Sequence, residues 1–265
     1  MDPLSGIILG IIQGITEFVP ISSSGHLIIA REFLGLSSSI DLSFDAVLQL
    51  ATSIAVLIYF WRDFLRITKL PFKYIRKQTI ERKDKILLGA IVLGTIPAVL
   101  IGFFLEGTME TVFRSAELVA WTLLLGSLIF YFAEKFAKKN AELTERKGLW
   151  IGFFQMLALI PGMSRSGMTI SGGLFMGLTR ENAARFSFLL SFPIIFGSGI
   201  KKMFELSANG VLNDLGYSLF LGAASAFIVG MFTIHYLLKY LKNHTLSVFI
   251  WYRVVLALIL FVTLV

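Results

Sequence analysis

Two short polar stretches interrupt an otherwise apolar chain, and they hold most of the residues whose types could do chemistry. The first is Gln13-Gly-Ile-Thr-Glu17-Phe-Val-Pro20-Ile-Ser22-Ser23-Ser24-Gly25-His26. Gln13 and Glu17 are four apart and share one face of a helix. Pro20 then disrupts that helix. Ser22, Ser23 and Ser24 fall where a new helix would start, and the free N–H groups and positive dipole end of a helix start favour an anion, typically phosphate. His26 lies within a turn of the serines. A carboxylate can hold a divalent cation or move a proton, a hydroxyl can attack phosphorus, and an imidazole exchanges protons near neutral pH. Together they suit phosphoryl transfer. A plainer reading pairs Gln13 with Glu17 between helices and lets the serines cap a kink. An ionisable Glu inside an apolar hairpin weighs against it, because such residues are costly in a membrane and usually functional.

The second stretch is Pro161-Gly-Met-Ser164-Arg165-Ser166-Gly167. The planar fork of an arginine suits bidentate phosphate binding. The alternative is a structural ion pair between Arg165 and Glu17. Asp45 and Gln49 open an apolar run and read as capping or helix-packing residues, with pocket lining as the other role. His235 and His244 flank Lys239 and Lys242 and read as interfacial. There is no Walker motif, HExxH or Cys/His cluster, so nucleotide hydrolysis and structural zinc are unsupported. The chain has no cysteine, which excludes disulfides and thiol chemistry.

The elements that must position these stretches are membrane elements. Residues of the AVILMFWYC set make up 56% of 265 positions and only 15% are charged, against about 25% in soluble domains. Met1–Val19 has neither a basic leading region nor a small-residue cleavage site, so no cleavable signal peptide is expected. Six runs are long enough to cross a bilayer: roughly 46–61, 86–104, 118–134, 182–200, 217–238 and 247–265. Residues 4–30 and 149–178 differ, because the two polar stretches divide each into arms that reach about half-way into a core of about 30 Å. They read as re-entrant helical hairpins, whose bare backbone is tolerated only where it lines a protein cavity.

The net charge of +7 sits mainly between apolar runs. Loop 62–85 holds Arg62, Arg66, Lys69, Lys73, Arg76, Lys77, Arg82, Lys83 and Lys85, and loop 135–147 holds Lys135, Lys138, Lys139, Arg146 and Lys147. With Lys239 and Lys242 they mark the cytoplasmic side. Loops 31–45 and 105–117 carry one base each, Arg31 and Arg114, and fall outside, as do both termini. The first hairpin then enters from outside and the second from inside. A gapless alignment agrees with this inverted repeat: Gly10, Gln13, Ser22, Ser24 and Gly25 coincide with Gly152, Gln155, Ser164, Ser166 and Gly167. The expected fold is an all-α integral membrane protein of six transmembrane helices and two re-entrant hairpins. It forms one domain, 1–265, with repeat halves at about 1–134 and 148–265. The halves have diverged: Arg165 matches Ser23, Leu159 matches Glu17, and Met168 matches His26.

These two motifs, with their spacing, the chain length and the Phe44-Asp45…Gln49-Leu50 stretch, resemble the bacterial undecaprenyl-diphosphatase family of the bacitracin-resistance type. That family opens its first motif with Glu or Gln and has Glu four residues on; this chain has the Gln form. The resemblance implies hydrolysis of undecaprenyl diphosphate to undecaprenyl phosphate and inorganic phosphate at the outer side of the bacterial plasma membrane, which recycles the lipid carrier for peptidoglycan. It implies a divalent cation, Mg²⁺ or Ca²⁺, held by Glu17 with Gln13. It implies Ser23 as nucleophile, His26 in proton transfer and Arg165 as the diphosphate clamp. Ser22, Ser24, Gly25, Ser164, Ser166 and Gly167 would bind the substrate. The sequence leaves Ser23, His26 and water open as nucleophile. The expected partners are a polyprenyl diphosphate and membrane lipids, with no nucleic acid; a homodimer is left open. The rival function is a transporter or flippase for phosphorylated lipid, since inverted repeats with broken helices mark transporters. It would need Arg165 but no Ser–His–Glu group.

Overall fold

The computed structural model describes residues 1–36, 41–111, 116–137, 140–208 and 210–263, and all regular structure among them is helical. Two helix pairs are broken, each with a proline in its break, Pro20 in one and Pro161 in the other. Helix α1 (Pro3–Thr16) starts at Asp2, whose side chain accepts from the Ser5 N–H, with proline in its first turn. It is followed by a break at 17–22 and by α2 (Ser23–Phe33). Further on, α8 (Glu145–Leu157) starts at a Thr144 cap and leads through a break at 158–164 to α9 (Arg165–Phe175). The arms are 14, 11, 13 and 11 residues. None reaches across an apolar core of about 30 Å at about 1.5 Å per residue.

Among the described residues four other helices are long and apolar enough to cross a membrane: they lie within α6 (Arg82–Thr111), α7 (Ala116–Phe136), α10 (Arg180–Ala208) and α11 (Val211–Asn243). A fifth candidate comes from α3 (Asp41–Tyr59), which bends by 79° into α4 (Trp61–Thr68) and α5 (Leu70–Ile75). The last helix, α12 (Ser247–Thr263), is apolar but only 17 residues long. Exposed Phe103, Phe104, Phe204, Phe220, Phe232 and Trp251 give the bundle an apolar outside. The stretch expected as loop 62–85 is therefore partly helical. Phe64, Ile67 and Leu70 are buried at a spacing of three, while Arg62, Arg66 and Lys69 lie outward. The density of bases hides that period in the sequence.

Small residues set how the broken pairs dock. Along α1, Gly6, Gly10 and Gly14 lie against Ser218, Gly222 and Ala226 of α11. Along α8, Gly148 and Gly152 lie against Ala90 and Gly94 of α6. A Cβ on Gly10 would sit 2.1 Å from the Gly222 carbonyl oxygen, and one on Gly152 would sit 2.4 Å from that of Gly94. Such close backbone approach replaces hydrophobic driving force where the solvent is lipid. Ion pairs tie the ends. Arg31 of α2 forms a two-pronged pair with Asp45 of α3. Asp63 of α4 accepts from Arg185 of α10 at 2.5 Å. Glu134 of α7 holds Arg180 at 2.6 Å and the Leu246 N–H at 2.8 Å.

Candidate active site

The two breaks are built alike. Ser22 and Ser164 cap α2 and α9, and each takes a left-handed backbone, with φ of 76° and 71°. Non-glycine residues rarely adopt this region, and it costs on the order of 1–3 kcal/mol. The Ser22 Oγ accepts from the Gly25 N–H at 3.4 Å, and the Ser164 Oγ accepts from the Gly167 N–H at 3.3 Å. The hydroxyls of Ser22 and Ser24 lie 3.3 Å apart, as do those of Ser164 and Ser166. Each strained serine thus turns the chain into a helix start whose first N–H groups lack helical partners.

Glu17 joins the two motifs. Its side chain is 6% exposed. One carboxylate oxygen accepts from Gln13 Nε2 at 2.9 Å and from Ser23 Oγ at 3.0 Å. The other accepts from Arg165 Nη2 at 2.7 Å. The ion pair weighed against a clamp role is therefore present, and it does not exhaust the arginine. Its Nη1 donates to the Ser187 carbonyl at 3.3 Å, while Nε is buried with no partner. The Ser166 hydroxyl reaches the Val19 carbonyl of the other break at 3.5 Å.

His26 stands on the same helix start but turns elsewhere. Its Nδ1 lies 2.7 Å from the Ser22 carbonyl oxygen, which only accepts, so Nδ1 carries a proton. Its Nε2 lies 2.7 Å from the Tyr252 hydroxyl. None of these contacts joins His26 to Ser23; the partner of the Ser23 hydroxyl is Glu17.

Three participants were not singled out in the sequence. Ser187 receives Arg165 through its carbonyl, for which no sequence signal exists. Tyr252 holds His26, and the adjacent Arg253 is fully buried and donates to the Gly162 carbonyl at 3.0 Å. A signal for Arg253 did exist, since an arginine in the apolar run 247–265 calls for the argument applied to Arg165.

A helical bundle with an apolar exterior, which encloses a carboxylate–arginine pair between two serine-capped helix starts, is the architecture of an integral membrane protein. The chain belongs to the family described as bacitracin resistance protein BacA, whose model matches residues 6–259. It is 41% identical over 272 residues to the undecaprenyl-diphosphatase of Renibacterium salmoninarum, covering 100% of this chain and 96% of that protein. It is 41% identical over 275 residues to the undecaprenyl-diphosphatase of Chloroherpeton thalassium, covering 98% and 96%. The undecaprenyl-diphosphatase of Desulforudis audaxviator is 39% identical over 261 residues, covering 97% and 96%.

Proposed function

We propose that this protein is a phosphatase that hydrolyses undecaprenyl diphosphate to undecaprenyl phosphate and inorganic phosphate, recycling the lipid carrier of cell-wall synthesis. The observation that carries the reading is the Glu17 carboxylate, which accepts from Ser23 of one motif at 3.0 Å and from Arg165 of the other at 2.7 Å. A nucleophile candidate and an anion binder thus meet on one group. Family membership and the names of the relatives supply the substrate.

In the proposed mechanism, Ser23 Oγ attacks the terminal phosphorus and its proton passes to Glu17. The bond from that phosphorus to the bridging oxygen breaks, and undecaprenyl phosphate leaves. Water then attacks the phosphoserine, which restores the Ser23 hydroxyl and releases inorganic phosphate. Arg165 stabilises charge on the transferring group. The hydroxyls of Ser22, Ser24, Ser164 and Ser166 and the starts of α2 and α9, at Gly25 and Gly167, bind the diphosphate oxygens. His26, on a hydrogen-bond chain from Tyr252 to Ser22, exchanges protons with solvent for the leaving phosphate. A flippase would have no need of the Ser23–Glu17 contact.

A divalent cation, Mg²⁺ or Ca²⁺, belongs to the proposal, and the donors suit one. Glu17 only accepts, so Gln13 turns its NH₂ group to it and leaves its amide oxygen buried without a partner. An orphaned oxygen beside a carboxylate matches the preference of hard cations. Among the described residues no three His, Cys, Asp or Glu side chains gather, so the diphosphate must supply further ligands, as is common for Mg²⁺. Glu17 and Gln13 would hold the ion, and when bound it would neutralise diphosphate charge.

The like docking of α1 on α11 and of α8 on α6, with the like serine caps, supports an inverted repeat. In it α3, α6, α7, α10, α11 and α12 are six spans and the broken pairs are re-entrant hairpins. The basic stretches then face the cytoplasm, and the site opens to the outer face of the bacterial plasma membrane. An apolar groove of about 380 Å³, lined by Val19, two residues from Glu17, and by Val229, Phe232, Thr233 and Tyr236 of α11, would take the isoprenoid tail. The experiment is phosphate release from undecaprenyl diphosphate by the purified protein in detergent, with and without chelator. Release that the chelator abolishes is expected; no release contradicts the phosphatase reading, and chelator-resistant release contradicts the cation.

A further inference from the structure

Arg253 is an arginine with no exposed surface, and among the described residues no carboxylate pairs with it. A cation so placed in an apolar body is costly. Its compensation is an unusual set of acceptors. The Arg253 Nη2 donates to the carbonyls of Gly162 at 3.0 Å, Leu123 at 3.1 Å and Thr122 at 3.4 Å, and Nε donates to the Ser127 hydroxyl at 3.2 Å. The guanidinium also lies over the Phe130 ring, 4.7 Å from its centroid, and Nη1 has no partner. Thr122, Leu123, Ser127 and Phe130 all lie on α7. Gly162 belongs to the second motif.

The carbonyl before it is held as well. The Thr122 hydroxyl lies 2.6 Å from the Pro161 carbonyl oxygen, its shortest contact, with the Leu118 and Val119 carbonyls of its own helix at 2.9 and 3.0 Å. Two successive carbonyls of the Pro161–Gly162 turn are therefore drawn onto α7 and α12. The fit is close: Gly162 has φ of +90°, and a Cβ there would sit 1.8 Å from the Thr122 hydroxyl oxygen. Gly126 opens the slot for the guanidinium, since a Cβ on it would lie 2.2 Å from Arg253 Nη2. Phe130, beneath the guanidinium, packs on Gly167 at the other end of the motif, where a Cβ would lie 1.9 Å from its ring. A carbonyl oxygen turned toward an anion repels it, and N–H groups attract it. The sense of this turn therefore decides whether the start of α9 receives a diphosphate.

We propose that Arg253 is a positioning residue which, with Thr122, holds the Pro161 and Gly162 carbonyls away from the site and so presets the second motif for a diphosphate. The inference rests on the proposed reading of that motif as the anion binder. It assigns Arg253 no contact with substrate.

The test is calorimetric affinity for inorganic diphosphate in detergent, beside KM and kcat for undecaprenyl diphosphate, on protein of normal size-exclusion profile. Thr122→Val keeps the shape of the side chain and removes only the hydroxyl. Arg253→Lys keeps the charge and loses the reach to several carbonyls. Each should weaken diphosphate binding and raise KM by roughly tenfold, the scale of one net hydrogen bond, with a smaller change in kcat. Ser127→Ala, which removes one anchor of Arg253 and leaves both turn contacts in place, should weaken diphosphate binding less than Thr122→Val does. Parent-like affinity in Thr122→Val overturns the inference, whatever Arg253→Lys does to folding. Weaker binding in the two variants supports it even in a protein without turnover, which would overturn only the phosphatase reading.

Discussion

Replacing Arg165 by lysine separates binding by shape from binding by charge. In the site, Arg165 Nη2 lies 2.7 Å from Glu17, Nη1 makes a 3.3 Å contact with the Ser187 carbonyl, and Nε has no partner. A lysine can reproduce the Glu17 contact and little else. If the arginine were only a counter-ion, the loss would be the weaker second hydrogen bond, about 1 kcal/mol or roughly fivefold in rate. If its spare donors hold the transferring phosphoryl group, the loss is that of a preorganised transition-state donor, about 2.7–4 kcal/mol, or roughly 10²–10³-fold. The account predicts at least about 10²-fold on kcat for Arg165→Lys, with folded yield nearly unchanged because the charge beside Glu17 remains. The assay is phosphate release per folded molecule, with folding judged by detergent size exclusion. Turnover within about fivefold of the parent would refute the clamp and leave the ion pair as the whole role.

Other consequences follow from packing and topology. Gly152→Leu should destabilise the fold by roughly 1–3 kcal/mol or more, because its side chain would meet the Gly94 backbone of α6; an unchanged Tm in detergent would contradict that contact. Single cysteines at Lys73 and Thr263 should label from opposite sides of intact cells, and labelling from one side would break the proposed topology and its inverted repeat. Thr233→Trp, which fills the groove beside Val19, should raise KM roughly tenfold for a long polyprenyl diphosphate and leave a short-chain diphosphate unaffected. Equal effects on both would remove the tail from the groove.

Much of the site was legible because its residues break the apolar pattern. Pro20 and Pro161 forecast the breaks, and the residues after them begin α2 and α9. The spacing of Gln13 and Glu17 forecast their contact. The left-handed turns at Ser22 and Ser164 were not legible, because serine does not announce a positive φ as glycine would. Contacts between distant segments also escaped. Tyr252 reaching His26 and Arg253 reaching Gly162 join residues far apart in the chain, and α12 shows only the lone Arg253 in an apolar run, with nothing to name its partner. Charge misled twice. The bases of 62–85 masked the buried face of α4, and Arg31, counted with an outer loop, is buried against Asp45.

The central claim is that both motifs form one phosphoryl-transfer site around Glu17. Its most direct test is product analysis of undecaprenyl diphosphate incubated with purified parent protein and with Glu17→Gln, which keeps the shape of the side chain and removes its charge. Equal amounts of undecaprenyl phosphate and inorganic phosphate are expected from the parent, and a loss of at least roughly 10²-fold in the variant. Intact lipid after incubation with the parent, or parent-like hydrolysis by Glu17→Gln, would contradict the claim.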